Sequence, residues 1–323
     1  MNRNLNVSII QMPRADLAAN LLYLRNSVDS LMAGYVKPEL IVGVEMGISM
    51  VPQTIPGPAT DFLGAIAKKH GIYFIPGTMA ESAPELPDGG FYNSCPVFGP
   101  DGTLLTVCRK KVPVRPCEGS CPDESNNYCL FHIPEKDITA GVLVCYDQFF
   151  PEIPRTLALM GAELIICPSG DPIEFRHIPD ILPRARALEN ELYYIWTCGT
   201  GQGLGGTSCG RSVVIDPEGQ VVDRCGNVPA RLTCTLDLDF VRRKRLCGKD
   251  QHLNSLRHFH VAYPFADKLD LAPVYKNMPG LTDNPAAYTE RLKEMGVAPF
   301  THELPEPSDS DRLLDELYRK LNN

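Results

Sequence analysis

Apolar positions along the chain recur in two registers, and the alternation between them predicts strands and helices in turn. The opening run LNVSIIQM reads as a buried strand. Leu17, Leu21, Leu24, Val28 and Leu31 then follow at spacings of 4, 3, 4 and 3, one face of a helix. ELIVGV predicts a second strand ending at Glu45, ATDFLGAIAKKH a helix and IYFIPGT a third strand. YNSCPVF and TLLTVC predict a hairpin turning at Pro100-Asp101-Gly102. From about residue 139 the order repeats. TAGVLVC is a strand, PEIPRTLALMG a helix with prolines in its first turn, ELIIC a strand and 184–191 a helix. LYYIWTC is a strand and SVVIDPEGQVVDRC a second hairpin, turning at Pro217-Glu218-Gly219. A last strand, LTCTL, runs into FVRRKRL.

The two halves therefore repeat one pattern, β-α-β-α-β followed by a hairpin. Two such sheets, each with helices on one side, bury their free faces against each other in a four-layer α-β-β-α sandwich. A single doubly wound sheet is the competing layout, and the hairpins argue against it because they require antiparallel neighbours. Between the halves lies an irregular stretch, 112–127, containing Pro113, Pro116 and Pro122. Loops of that length inside a compact domain tend to be functional. After about residue 247 apolar periodicity weakens, with helical candidates only at 286–295 and 311–321. Residues 1–246 are thus expected to form the folded body and 247–323 a tail wrapping it or a partner subunit.

Composition narrows the class. The chain has 323 residues, 31 Lys+Arg against 39 Asp+Glu, a net charge of −8, and 44% apolar residues. An acidic chain with that apolar share is expected to bury a sizeable core and to lack the basic face that nucleic acid or an anionic membrane requires. The run Arg242-Arg243-Lys244-Arg245 is expected to be a solvated helix face or a subunit contact. No apolar run approaches the roughly 18–20 residues of a membrane span. The N-terminus enters a strand at once without a leader-like apolar segment, which predicts a cytoplasmic protein. Its 12 cysteines, several inside apolar strands, are then expected to be free thiols. Cys117, Cys121, Cys129 and His132 invite a metal reading, but their spacings miss the paired zinc patterns.

Four residues stand where chemistry is possible. Cys145 closes an apolar strand just before a helix, a turn that exposes the thiol and offers unpaired backbone N–H groups. Glu45 ends another apolar strand, a position for a desolvated carboxylate acting as base. Lys110 follows a strand, and Glu118 lies eight residues on in the Pro-rich loop.

In order and context, these residues resemble the nitrilase superfamily of carbon–nitrogen hydrolases. Val44-Glu45 stands in place of that family's strand-end Pro-Glu. Tyr92-Asn93-Ser94, Pro100-Asp101-Gly102 and Arg109-Lys110 are similar to the stretch leading to its lysine. Cys145-Tyr146-Asp147, Phe150-Pro151-Glu152 and Gly161-Ala162-Glu163 are similar to its nucleophile region, and Arg186-Ala187, Glu189-Asn190, Gly210, Ser212, Asp216-Pro217 and Gly219 to its later blocks. The likeness spans about residues 5–245.

The resemblance implies the α-β-β-α fold, dimers or larger homo-oligomers, and no metal or organic cofactor. It implies Glu45 as general base, Lys110 as oxyanion stabiliser, Cys145 as nucleophile, and Glu118 orienting substrate and lysine. Tyr146 and Gln148 are the expected substrate contacts. The segment from Lys110 through Pro113 to Glu118-Gly119 is similar to the aliphatic amidase and formamidase branch. Gln148 to Glu152 looks more like N-carbamoyl-amine amidohydrolases. Tyr146-Asp147 departs from the Trp-Glu of nitrilases proper, and Thr197-Cys198-Gly199 stands where an Asn is usual. The reading is an amidohydrolase releasing ammonia and an acid from a small carboxamide. An N-carbamoyl-amine amidohydrolase and then a nitrilase are the alternatives within the family; a catalytically dead scaffold subunit and a thiol redox or metal protein lie outside it.

Overall fold

Along β1 (Asn4–Gln11), Leu5, Val7 and Ile9 turn into one core while Ile10 turns into another. A strand apolar on both faces has to lie between two layers. The computed structural model, which describes residues 3–115, 118–203 and 206–258 with Glu290, Lys293 and Glu294, shows which layers these are. After β1 come α1 (Leu17–Met32), β2 (Leu40–Gln53), α2 (Pro58–His70), β3 (Tyr73–Glu81), β4 (Tyr92–Phe98) and β5 (Leu104–Arg109). The second half holds β6 (Cys129–Ile133), β7 (Ile138–Val142), α3 (Glu152–Leu159), β8 (Leu164–Ser169), α4 (Ile178–Asn190) and β9 (Tyr193–Cys198). It continues through β10 (Thr200–Gly203), β11 (Gly206–Cys209), β12 (Val213–Ile215), β13 (Val221–Arg224), β14 (Ala230–Asp237) and α5 (Leu238–Cys247).

Two six-stranded sheets form, ordered β14-β1-β2-β3-β4-β5 and β13-β12-β9-β8-β7-β6. Val7, Val42 and Ile75 of the first meet Val142, Ile166 and Ile195 of the second in a core between the sheets. The alternate positions Ile41 and Phe74 pack under α1 and α2, and Ile165 and Tyr194 under the helices of the second half. This is the α-β-β-α sandwich expected from the sequence. The helix ends follow local chemistry. Asp16 caps α1 by accepting the Ala19 N–H at 2.8 Å, Pro58 opens α2, and Gly71 closes it in the left-handed region at φ 63°.

The repeat is more complete than the pattern suggested. Each sheet takes a sixth strand antiparallel to its first: β14 beside β1, and β6 beside β7. The final strand thus returns to the first sheet and sews the halves together. Strand β6 was not expected, since only Cys129, Phe131 and Ile133 of its five residues are buried and a Pro-rich loop precedes it. The β10–β11 hairpin, glycine-rich and without an apolar run, was not expected either. Helix α4 begins at Ile178 rather than 184 and carries Pro183 inside it. Strand β2 does not end at Glu45: it continues to Gln53 through an irregularity at Met46, whose φ is 53°.

The basic run belongs to α5 and spends its charges inside the chain. Arg242 pairs with Glu163 and Asp137, Arg243 with Asp237, and Lys244 with Asp250. Arg245 donates to the carbonyls of Ala162, Asn190 and Glu191 at the end of α4 and the start of β8. Lys244 and Arg245 thus fasten the helix to the body, while Arg242 and Arg243 lie on the solvated face that was expected. Of the helix expected over 286–295 only Glu290, Lys293 and Glu294 are described, all helical; 311–321 and most of the tail lie outside the described residues. Among the described residues, no helix is long and apolar enough to cross a membrane.

Candidate active site

Strands β1, β2, β7 and β8 are four of the six inner parallel strands of the two sheets, beside β3 and β9, and just at or beyond their apolar runs each supplies a polar residue: Arg14, Glu45, Cys145 and Asp171. Ends of parallel strands are where α/β proteins bind ligands, because the chain there leaves the sheet with side chains unspent. Glu45 is 2% exposed, and the left-handed Met46 kinks β2 directly after it. Lys110 leaves β5 and is 1% exposed.

A buried ammonium needs partners, and Lys110 has two. Its Nζ donates to Glu45 Oε1 at 2.9 Å and to Glu118 Oε2 at 2.6 Å. Asn93 Nδ2 bridges the same carboxylates, at 2.9 Å to each. Glu118 also accepts from Ser120 Oγ at 2.8 Å and the Val114 N–H at 3.1 Å, which fixes a loop carboxylate as firmly as one on a strand. Burial works against both charges. It is outweighed in each case: Glu118 and Glu45 hold Lys110 well above the usual lysine value, and Lys110 with these donors holds Glu118 below the usual carboxylate value.

Cys145 opens a 3-10 turn, Cys145–Phe149, at φ 48°, a strained conformation for a residue with a side chain. Asp147 holds the turn. Its carboxylate accepts the N–H groups of Val144 at 3.1 Å, Lys111 at 3.1 Å and Val112 at 2.9 Å. One side chain thus ties the turn that carries Cys145 to the segment after Lys110. Burial pushes Asp147 up to about 6 against Lys110 and the three N–H groups. Replacing Asp147 by Ala leaves those buried donors unpaired, at about 1–3 kcal/mol apiece where no water reaches them. The expected result is a drop in unfolding free energy of about 2–4 kcal/mol by denaturant titration, with hydrolysis lost in step.

The Cys145 thiol sits against Asp171, donating to Oδ1 at 3.7 Å. Burial first, then the charges of Glu45 and Asp171, raise its pKa well above that of a free thiol; Lys110 and the Gly170 N–H oppose them. The surroundings thus favour the thiol over the thiolate. Gly170 is required by close approach: a Cβ there would lie 2.3 Å from Arg14 Nη2 and 2.8 Å from Glu45 Oε2. Arg14 backs the site, donating from Nε to the Glu45 carbonyl at 2.7 Å and from Nη1 to Ser208 Oγ at 2.6 Å.

These groups line a cavity of about 680 Å³, room for a small organic molecule. Glu45, Lys110, Glu118 and Cys145 meet there, with Tyr146 and Phe149 on its wall. Gln148 is fully buried and is not among the lining residues; its backbone carbonyl accepts from Arg186 Nε at 2.7 Å. Sequence reasoning passed over Arg14 and Asp171, although each follows an apolar strand as Glu45 and Cys145 do. Asn93 stood in a matched motif without being given a role. Among the described residues no group of three or more His, Cys, Asp or Glu is arranged for a metal ion.

The chain is 32% identical over 207 residues to omega-amidase NIT2-B of Xenopus laevis, covering 60% of this chain and 71% of that protein. It is 30% identical over 202 residues to human omega-amidase NIT2, covering 58% and 69%. Among solved structures, Nit3 of Saccharomyces cerevisiae, a member of branch 10 of the nitrilase superfamily, superposes with TM-score 0.67 at 25% identity, covering 80% of this chain and 97% of that one. An amidase from Nesterenkonia sp. shares the fold, with TM-score 0.64 at 24% identity and coverage of 79% and 98%. The carbon-nitrogen hydrolase family model matches residues 6–245, the whole two-sheet body. With a buried thiol, ammonium and carboxylates converging on one cavity inside that matched region, the chain belongs to the carbon–nitrogen hydrolase family of the nitrilase superfamily, hydrolases of C–N bonds other than peptide bonds.

Proposed function

We propose that the protein is an amidase that hydrolyses a small carboxamide through a thioester on Cys145, releasing ammonia and a carboxylic acid. The observation that carries this reading is the Lys110 ammonium, 1% exposed and bonded to both Glu45 and Glu118, on the wall of the cavity that holds the Cys145 thiol. The relatives named omega-amidase and amidase support the same chemistry.

Glu45 takes the thiol proton as sulfur attacks the amide carbon. Lys110 and the N–H of Tyr146, in the first turn of the 3-10 segment, receive the negative charge that develops on the carbonyl oxygen. Glu45 then hands its proton to the departing nitrogen and activates a water against the thioester. Glu118 keeps Lys110 charged and aimed. Tyr146 and Phe149, whose ring centroids lie 4.9 Å apart, form an aromatic wall against the acyl group. Ammonia release from a panel of two- to five-carbon amides, N-carbamoyl compounds and nitriles tests the reading. Turnover of amides supports it; turnover confined to nitriles or N-carbamoyl compounds, or to none, would remove it.

We propose a cytoplasmic location, in keeping with cysteines such as Cys95, Cys167 and Cys198 that pack as buried apolar side chains in the strands. We also propose a homodimer or larger homo-oligomer. The adjacent helices α3 and α4 leave Leu159, Met160, Ile181 and Leu188 exposed, at 62%, 51%, 55% and 38%. Such a face is suited to a second copy of itself. The variant Ile181→Glu with Leu188→Glu is expected to lower the mass seen by sedimentation equilibrium to that of a monomer; a wild type that already sediments as a monomer would contradict the proposal.

A further inference from the structure

The mechanism above leaves one carboxylate at the nucleophile without a role. Asp171 follows β8 directly and is 7% exposed. The hydrogen bond that the Cys145 thiol donates goes to its Oδ1, at 3.7 Å, whereas Glu45 is engaged by Lys110 and Asn93 through Oε1. Asp171 Oδ2 is shut off from solvent and has no partner among the described residues. The backbone that carries it is held. Its carbonyl accepts the Cys209 N–H at 2.9 Å and the Cys198 thiol at 3.5 Å, and the preceding Gly170 is wedged against Arg14 and Glu45. These contacts fix the backbone from which the Asp171 side chain reaches the sulfur.

The geometry points to Asp171 as a further catalytic residue of the proposed hydrolysis, one that aims the Cys145 thiol and keeps its proton on sulfur until an amide enters and Glu45 takes it. This rests on the reading of Cys145 as nucleophile. The proton balance is simple. The S–H bond breaks toward Glu45, the sulfur electron pair forms the bond to the amide carbon, and Asp171 neither takes nor gives a proton in the step. It therefore differs from a second base, which would have to return a proton to the leaving nitrogen.

Charge explains why such a restraint has an effect. The thiol is faced by Glu45 from β2, Lys110 after β5, and Asp171 and the Gly170 N–H after β8. Asp171 is itself faced by Glu45, Lys110, the thiol and Arg14, with Glu118 reached through Lys110. Burial, then Glu45, push its carboxyl up to about 7, against Lys110, the thiol's hydrogen bond and Arg14. The restraint on sulfur accordingly strengthens as pH rises through neutrality, when a free thiol would be starting to ionise.

Alkylation of Cys145 by iodoacetamide, read on its own peptide by mass spectrometry in the full-length protein, tests this between about pH 5.5 and 9.5. In the wild type the logarithm of the rate is expected to rise with a slope below one above about pH 7, because each step that ionises Asp171 makes the thiolate harder to form. In Asp171→Asn, which keeps an acceptor and removes the charge, the profile is expected to move about one pH unit downward, roughly a ten-fold faster alkylation near neutrality. Its kcat/KM for an amide is expected to fall at the same time. A merely structural residue would lower activity without moving that profile. An Asp171→Asn profile superimposed on the wild type would overturn the role of Asp171, and so would a wild-type slope of one throughout, a measurement that needs no variant. Failure of every amide to turn over would instead remove the proposed hydrolysis, so the two readings fail separately.

Discussion

Replacing Cys145 by alanine is expected to abolish amide hydrolysis, with a loss on the order of 10⁴–10⁶-fold in kcat, while leaving the fold in place. The two effects separate because of where the residue sits. Cys145 opens a short turn at φ 48°, at the margin of the core between the sheets, so truncation to alanine removes a single sulfur and leaves the backbone of the turn in place. The cavity wall offers no second thiol: Glu45 and Glu118 are paired with Lys110, Asp171 accepts the hydrogen bond of the Cys145 thiol itself, and the remaining hydroxyl is the phenol of Tyr146. Ammonia release under saturating amide, with circular dichroism as the check on folding, measures both effects. Residual turnover within about ten-fold of the wild type would mean that the reaction does not pass through this sulfur.

Lys110→Met is expected to damage catalysis and stability together. Loss of one oxyanion donor lowers kcat by about 10²–10³-fold. It also leaves Glu45 and Glu118 buried without a cation, and breaking a buried pair in this way costs about 3–5 kcal/mol. Lys110 has a folded pKa raised above its ordinary value. Its contribution to stability is therefore complete below about 10.4 and is lost only as pH rises through the higher folded value. Glu118 is depressed, so its contribution is present above about 4.3 and disappears as pH falls through the lower folded value. Across neutral pH the wild type keeps both. The deficit of Lys110→Met is expected to be largest near pH 7.5 and to shrink toward about pH 4, as the stranded carboxylate takes up a proton. Denaturant titration at the two pH values measures this. Adding Glu118→Gln to Lys110→Met should recover part of the stability without recovering activity.

Much of this architecture can be read from the chain, for a specific physical reason. Strands β1, β2, β7 and β8 are buried on both faces, so they appear as unbroken apolar runs. The first polar residues beyond such runs are the ones a sheet presents at its edge, and this made Glu45 and Cys145 visible before any coordinates. Arg14 and Asp171 satisfy the same rule and were passed over. An arginine after a proline and an aspartate after a glycine look like ordinary loop residues until Gly170 is seen to press on both Arg14 and Glu45.

Glu118 was visible only through resemblance. Its burial comes from Asn93, Ser120 and the Val114 N–H, contacts across the fold that no local pattern encodes. Strands β6 and β14 have the opposite difficulty. They lie at sheet edges, half of their residues face outward, and their partners β7 and β1 are fixed by pairing at long range in the case of β14. Of the two residues expected to contact substrate, Tyr146 lines the cavity, while Gln148 is fully buried and does not.

The most direct test of the central claim is the mass of the enzyme itself during turnover. Wild-type protein is mixed with a small amide such as butyramide, quenched in acid within the first turnover, digested and mapped. The expected result is an added acyl group on the peptide containing Cys145, formed as ammonia is released and gone when the amide is spent. Ammonia release with Cys145 unmodified at every time point, or an acyl group on any other residue, would contradict it.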